Sequence, residues 1–172
     1  MKKTTIILYI TLTAFSMKLF AQDSNNFTLA ELTTPHQIML FISFAAIAIG
    51  ILSSGYALSI SLGAYAACDK ENRGTAFIPA VMPGSQGLYS FAISFLMIQN
   101  MANKPLQVAF AGLICGLPCF FSAIGQAKTA AACIKSINNG QMDQGQALLA
   151  TGVPELYALT GLAGAFLSMF MA

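Results

Sequence analysis

Charged residues are scarce in this sequence: Asp, Glu, Lys and Arg make up only 8% of its 172 residues, whereas 56% are hydrophobic. A soluble domain carries about 25% charged residues, so the composition argues against a soluble fold and predicts an integral membrane protein. The sequence contains no phosphate-binding loop, so we expect no nucleotide hydrolysis by this chain alone. The four cysteines show no zinc or disulfide spacing and are expected to pack as small apolar residues.

Long segments without charge give the number of membrane spans. Residues 37–68, 74–103 and 105–127 carry no Asp, Glu, Lys or Arg, and residues 144–172 carry only Glu155. Each segment reaches the roughly 20 residues that a helix needs to cross a bilayer. We therefore predict an all-α membrane protein of four transmembrane helices, arranged as two tandem helical hairpins over residues 37–103 and 104–172.

The first residues follow a different pattern. Residues 1–21 have a basic start, a short apolar centre and a small residue, Ala21, before the polar DSNN. This pattern is typical of a secretory signal sequence, with residues 22–36 left as a short external segment. An uncleaved fifth helix is the alternative. Cleavage removes three lysines and leaves five basic and six acidic residues, so the formal charge of +2 does not indicate a nucleic-acid partner.

The basic residues predict the orientation in the membrane. Lys70 and Arg73 lie between the first two spans, and Lys128 and Lys135 lie near the turn between the last two. The positive-inside rule places turns 69–74 and 136–143 in the cytoplasm and both mature termini outside. The expected location is the cell inner (plasma) membrane.

The two hairpins are similar in sequence. Residues 81–98 align with 153–169 when Pro83 is set on Pro154, and Gly84 then falls on Glu155. One copy thus has an acid where the other has glycine. The first and third spans are rich in small residues, including a GxxxG motif at 112–116. Small residues allow close helix approach in lipid, which suits an inner ring of helices surrounded by bulkier ones.

Several polar residues are predicted to lie at one depth. Glu155 follows the middle of the second turn by about 15 residues, and Gln126 precedes it by about 14. Both therefore lie about 21 Å from that turn at 1.5 Å per residue. Ser85 and Gln86 lie about 14 residues beyond the middle of the first turn. All four side chains should meet.

This set of oxygens favours a small hard cation. A carboxylate in the middle of a membrane is functional by default, because the charge is costly unless a proton or a metal ion accompanies it. Hydroxyl and amide oxygens suit a hard cation, and one carboxylate balances one positive charge. Pro83 frees a backbone carbonyl one turn earlier, and Met82 can present its own carbonyl. The predicted ligand is Na⁺ or a proton.

Three motifs resemble the proteolipid rotor subunit, known as the K or c subunit, of V-type (vacuolar/archaeal-type) rotary ATPases: PGSQGLY at 83–89, GQAK at 125–128 and VPELYALTGL at 153–162. The likeness covers roughly residues 37–172. By resemblance to the sodium-pumping bacterial branch, the ion-binding groups are Glu155, Gln126, Gln86, Ser85 and the backbone carbonyl of Met82, with Tyr89 hydrogen-bonded to Glu155. Ser85 replaces the Thr of the sodium type, and it lacks the methyl group that restricts the rotamer of Thr.

The resemblance also implies the partners. Many copies are expected to form a homo-oligomeric ring in the bilayer, turned by a central-stalk subunit, beside a stator membrane subunit whose Arg displaces the ion from each site. ATP hydrolysis or synthesis belongs to partner subunits, and no organic cofactor is implied. Two Gln and one Ser around the acid favour Na⁺, because proton-driven relatives tend to have apolar residues there.

Two other classes have four spans. Small multidrug/proton antiporters also carry one membrane acid, but it lies in their first span, and flat organic cations need aromatic walls, whereas Trp is absent here. A structural four-helix channel or junction protein needs only glycine-rich helices and leaves the polar set around Glu155 unexplained.

Overall fold

The computed structural model describes residues 35–170, which contain five α-helices and two short 3₁₀ turns and, within that range, no strand. The helices are α1 (Pro35–Ala66), α2 (Arg73–Val81), α3 (Ser85–Asn100), α4 (Pro105–Asn138) and α5 (Gln144–Phe170). The predicted signal sequence 1–21 and most of the external segment 22–36 lie outside the described residues, although α1 already begins at Pro35.

Among residues 35–170, four helical segments are long and apolar enough to cross a membrane, which confirms the predicted fold class. They are Gln37–Ala66, Lys70–Asn100, Pro105–Asn138 and Gln144–Phe170. Large apolar side chains cover the outside of the chain, with Leu149 76% exposed and Leu88 69% exposed. Such a surface is stable against lipid rather than water. The third span is the most buried of the four, so α4 forms the centre of the bundle.

The second span is interrupted where the sequence places two prolines. Pro79 and Pro83 lack the N–H group that an α-helix needs, and their rings clash with the preceding turn. The α-helical hydrogen bonding is interrupted here, and a 3₁₀ turn at Met82–Gly84 separates α2 from α3. The N–H of Ser85 then bonds to the carbonyl of Met82. Sequence analysis predicted one span here, and the break places Ser85 at the start of a new helix.

Small residues bring α1 and α4 into backbone contact. A Cβ atom added to Gly116 would overlap the backbone of Ala46, and one added to Gly112 would lie 2.7 Å from the carbonyl oxygen of Ser43. The hydroxyl of Ser43 also donates to the carbonyl of Ala109 across the same interface. The GxxxG motif therefore acts inside the chain, because only glycine leaves room for this approach.

The two predicted turns lie at one end of the bundle. The side-chain oxygen of Asn138, at the end of α4, accepts a hydrogen bond of 2.8 Å from the backbone N–H of Asp69. The Asn139–Gly140 turn that follows uses a positive φ of 68° at Gly140, which glycine adopts without strain. At the opposite end, Lys104 Nζ donates to the carbonyl of Met169 at 3.2 Å. These contacts fit the up-and-down path of two antiparallel hairpins.

Candidate ion-binding site

Glu155 lies partly buried in α5, and both of its carboxylate oxygens accept hydrogen bonds. Tyr89 Oη, from α3, donates to Oε1 at 2.6 Å. Gln126 Nε2, from α4, donates to Oε2 at 3.1 Å. Three different helices therefore meet at this carboxylate. One O–H donor and one N–H donor therefore hold the two oxygens of the carboxylate.

Gln126 links the acid to the second glutamine. Its amide nitrogen also donates to the backbone carbonyl of Thr151 at 2.8 Å, and its oxygen accepts a 2.6 Å hydrogen bond from Gln86 Nε2. Both glutamine side chains are completely buried. The two amides thus form a short chain that runs from α3 through α4 to α5.

Gln86 leaves one polar atom without a partner. Its nitrogen donates to Gln126 and lies 3.3 Å from the hydroxyl oxygen of Ser122. Its oxygen, Oε1, is buried and has no hydrogen-bond partner within the described residues. Buried polar atoms are nearly always paired, so this oxygen marks a position that suits a cation or a donor.

Ser85 and Met82 are hydrogen-bonded to each other beside this network. The hydroxyl of Ser85 donates to the carbonyl of Met82 at 2.9 Å, which also receives the N–H of Ser85. Neither residue bonds to Glu155. The pair approaches the site through Thr151, whose hydroxyl lies 3.1 Å from the sulfur of Met82. Of the predicted residues, the structure therefore joins Tyr89, Gln126 and Gln86 to the acid, and Ser85 is next to this set through its side-chain interaction with Tyr89.

Sequence analysis missed two residues of the network, Ser122 and Thr151. Ser122 is four residues before Gln126, and Thr151 is four residues before Glu155. Residues four apart lie on the same helix face, so this spacing was the available signal. Ser122 is buried and its hydroxyl donates to the carbonyl of Pro154 at 2.5 Å.

The arrangement can hold one small cation or one proton. It contains one carboxylate, and no group of three or more His, Cys, Asp or Glu residues that could hold a metal ion occurs in the described part of the chain. A divalent ion would keep an uncompensated positive charge in lipid, because a single carboxylate supplies one negative charge. Amide, hydroxyl and carbonyl oxygens complete the set of possible ligands.

The fold and the site define a class, that of small membrane proteins with four spans and one ion-carrying acid. Similarity to known proteins identifies the family within it. The family model for the C subunit of ATP synthase matches residues 38–97 and again 109–168. The chain therefore belongs to this ATP synthase family and is a proteolipid rotor subunit of a rotary ATPase. Members of this family are non-catalytic, ion-translocating subunits that assemble into rings.

Two relatives are similar over more than half of this chain. The chain is 32% identical to V-type sodium ATPase subunit K of Enterococcus hirae over 114 residues, which cover 59% of this chain and 69% of that protein. It is 31% identical to A-type ATP synthase subunit K of Methanocaldococcus jannaschii over 124 residues, 69% of this chain and 56% of that protein. Family membership also separates the chain from the antiporter and junction-protein classes considered above.

The two family matches also confirm the internal repeat. They begin 71 residues apart and end 71 residues apart, which is the separation of Gly84 and Glu155. The predicted alignment of Pro83 with Pro154 follows from the same offset. A Cβ atom on Gly84 would lie 3.3 Å from Leu58, so an apolar side chain stands where the second hairpin has its acid site.

Proposed function

We propose that this rotor subunit carries Na⁺ across the membrane on Glu155. The observation that supports it best is the carboxylate held by Tyr89 and Gln126 beside the unpaired oxygen of Gln86. The sodium named in the description of the Enterococcus hirae relative supports the same ion. An occupied site has no net charge and can face lipid, whereas an empty ionised one is strongly disfavoured there.

The proposed ligands are oxygens of five residues. They are the carboxylate of Glu155, the amide oxygens of Gln126 and Gln86, the hydroxyl of Ser85 and the carbonyl of Met82. An amide oxygen has two lone pairs, so Gln126 Oε1 can keep its hydrogen bond from Gln86 and still face the ion. Tyr89 then holds the carboxylate in place and is not itself a ligand.

Two of the five proposed ligands must first separate. The carbonyl of Met82 accepts both the N–H and the hydroxyl of Ser85, which uses both of its lone pairs. Rotation of the hydroxyl about χ1 releases one lone pair of the carbonyl and turns the hydroxyl oxygen toward the ion. The site is thus partly self-satisfied without Na⁺, and its affinity depends on how easily the Ser85 hydroxyl turns.

A proton is the second candidate ion, and one feature favours it. Both carboxylate oxygens of Glu155 and the carbonyl of Met82 already have hydrogen-bond partners without a metal ion. A proton on Glu155 would neutralise the site without needing Ser85 and Met82, which are bonded to each other, as ligands. The rotor role is the same for either ion.

The remaining parts of the proposal concern assembly. Copies of this chain form a ring, and an Arg of a stator membrane subunit releases the ion from each Glu155 in turn. A central-stalk subunit connects the ring to the subunits that hydrolyse or synthesise ATP. Turns 69–74 and 136–143 face the cytoplasm, the mature termini lie outside, and residues 1–21 are removed.

Labelling with dicyclohexylcarbodiimide tests the ion. This reagent modifies protonated carboxyls buried in the membrane, so bound Na⁺ protects them. The labelled residue of membrane-embedded rings is identified by mass spectrometry over a range of pH, with and without NaCl. We expect Glu155 to react and millimolar Na⁺, but not K⁺, to protect it.

Two variants calibrate the measurement. Glu155→Gln removes the carboxyl and should abolish labelling, whereas Glu71→Gln changes an exposed acid in the first turn and should leave labelling as in the wild type. Labelling of Glu155 without protection by Na⁺ assigns the site to protons. Labelling that survives in Glu155→Gln refutes the role of this acid.

A further inference from the structure

The two buried amides have a fixed direction, because a glutamine side chain donates through nitrogen and accepts through oxygen. Gln126 Nε2 lies between two acceptors, the carbonyl of Thr151 at 2.8 Å and Glu155 Oε2 at 3.1 Å. An oxygen in that place would repel both. Gln126 Oε1 is therefore the atom that faces Gln86, and Gln86 must present its nitrogen, at 2.6 Å.

Ser122 imposes the same orientation on Gln86 from the other side. The one hydrogen of its hydroxyl is directed to the carbonyl of Pro154. The hydroxyl oxygen can therefore only accept, and Gln86 Nε2 lies 3.3 Å from it. If the amide turned over, its oxygen would face two acceptors, the oxygens of Ser122 and Gln126. Both hydrogens of the Gln86 amide thus have acceptors and its oxygen has no partner.

We propose that Ser122 is a positioning residue that holds the Gln86 amide with Oε1 toward the cation. This inference rests on the proposed function, because it assigns the unpaired oxygen to Na⁺. Covalent geometry keeps Oε1 within about 2.2 Å of Nε2, so the oxygen stays beside the network that contains Glu155. Ser122 acts through Gln86 and is not itself a ligand.

The test is sodium protection of Glu155 in Ser122→Ala rings. Loss of the hydroxyl removes one of the two acceptors that hold the Gln86 amide and leaves only Gln126, so we expect the Na⁺ concentration for half-protection to rise about tenfold, the scale of one hydrogen bond. Labelling in the absence of Na⁺, and its pH profile, should match the wild type. Ser122→Cys keeps the size of the side chain and provides a weak acceptor, so its half-protection should fall between the two.

Ser43→Ala is the matched control. Ser43 is also a buried serine whose hydroxyl ties two helices by donating to a backbone carbonyl, that of Ala109. Ala109 lies about 25 Å along α4 from Gln126, at 1.5 Å per residue, so Ser43 is far from the acid. Loss of the Ser43 hydroxyl should leave sodium protection unchanged, which separates weakened helix packing from a misoriented ligand.

A double-mutant cycle with Gln86→Leu identifies the route. If Ser122 acts through Gln86, Ser122→Ala should raise half-protection no further in the Gln86→Leu background. Additive effects overturn the inference, as does half-protection in Ser122→Ala equal to that of the wild type. If the wild type itself is not protected by Na⁺, the proposed function fails and the inference fails with it. Protection of the wild type with no effect of Ser122 rejects the inference alone.

Discussion

Tyr89 is the group that holds the carboxylate from the side opposite Gln126. Its hydroxyl donates to Glu155 at 2.6 Å, and a hydrogen bond to a charged group contributes about 1.5–3 kcal/mol. This donor therefore fixes one carboxylate oxygen, and Gln126 fixes the other. The phenol ring itself packs against the buried apolar residues of the core, so the hydroxyl can be removed without emptying the site.

Replacing Tyr89 by Phe should weaken ion binding. We expect the Na⁺ concentration that half-protects Glu155 from carbodiimide to rise about tenfold, because the carboxylate loses a fixed donor. Tyr157→Phe is the matched control, since Tyr157 is 68% exposed on the surface of α5. Equal half-protection in Tyr89→Phe and wild type would show that the bond does not hold the carboxylate for the ion.

Adding a methyl group at position 85 should strengthen Na⁺ binding. Ser85→Thr restricts χ1 and should lower the Na⁺ concentration for half-protection about threefold, a change of ~0.6 kcal/mol, the scale of side-chain rotamer entropy. Ser85→Ala removes the hydroxyl and should raise the Na⁺ concentration for half-protection. The measurement is the same sodium titration of carbodiimide labelling. Half-protection in Ser85→Ala equal to that of the wild type would mean that the hydroxyl is not a ligand.

At the scale of elements, α1 and α4 depend on glycine for their contact. Gly116→Ala should destabilise the chain by about 1–3 kcal/mol, the usual result of overpacking, because its Cβ would overlap the backbone of Ala46. Thermal unfolding of the detergent-solubilised protein measures this. Gly125→Ala in the same helix is the control, since nothing lies within 4 Å of its added Cβ. The prediction is wrong if the two variants unfold at the same temperature.

Long sequence patterns predicted the helices and turns well, whereas single residues did not predict a helix break. The four spans and both turns follow from charge-free segments and from the Asn-Asn-Gly sequence. The 3₁₀ turn at Met82–Gly84 does not, because proline also occurs inside α4 and α5, at Pro118 and Pro154, without ending either helix. Whether a proline breaks a helix depends on the neighbouring helices, which local sequence does not contain.

The ion-binding site was also predicted only in part. Hairpin geometry predicts that Glu155, Gln126 and Gln86 share one depth, because position along a helix follows from residue count. It does not predict which atom of each amide points where, since the backbone carbonyl of Thr151 sets the orientation of Gln126. Carbonyl acceptors have no sequence signature. Spacing places Ser122 on the same helix face as Gln126, but both of its contacts belong to other helices and cannot be predicted from that spacing.

At the scale of the whole molecule, the two hairpins are alike in fold and different in chemistry. The repeat offset of 71 residues aligns Glu155 with Gly84, Gln126 with Gly55, and Tyr89 with Thr160. The first hairpin therefore lacks the acid, and it also lacks an amide at position 55, where the second hairpin has Gln126. An acid placed there would have no prepared donor.

Moving the carboxyl between hairpins should not move the function. In the double variant Glu155→Gln, Gly84→Glu, we expect no sodium-protected carbodiimide labelling, because Leu58 occupies the space and Gly55 provides no donor. The single variant Gly84→Glu keeps the native site and serves as the control for assembly. Sodium-protected labelling at position 84 of the double variant would contradict this expectation.

The glycine at position 84 also affects the energetics of the assembled ring. On the proposed function, each four-helix subunit carries one ion. One revolution of the ring therefore moves one ion per subunit, which is one ion for every two hairpins. The gear ratio is therefore low. For a fixed number of ATP molecules per revolution, fewer ions share the same free energy, so each ion can be driven against a steeper electrochemical gradient.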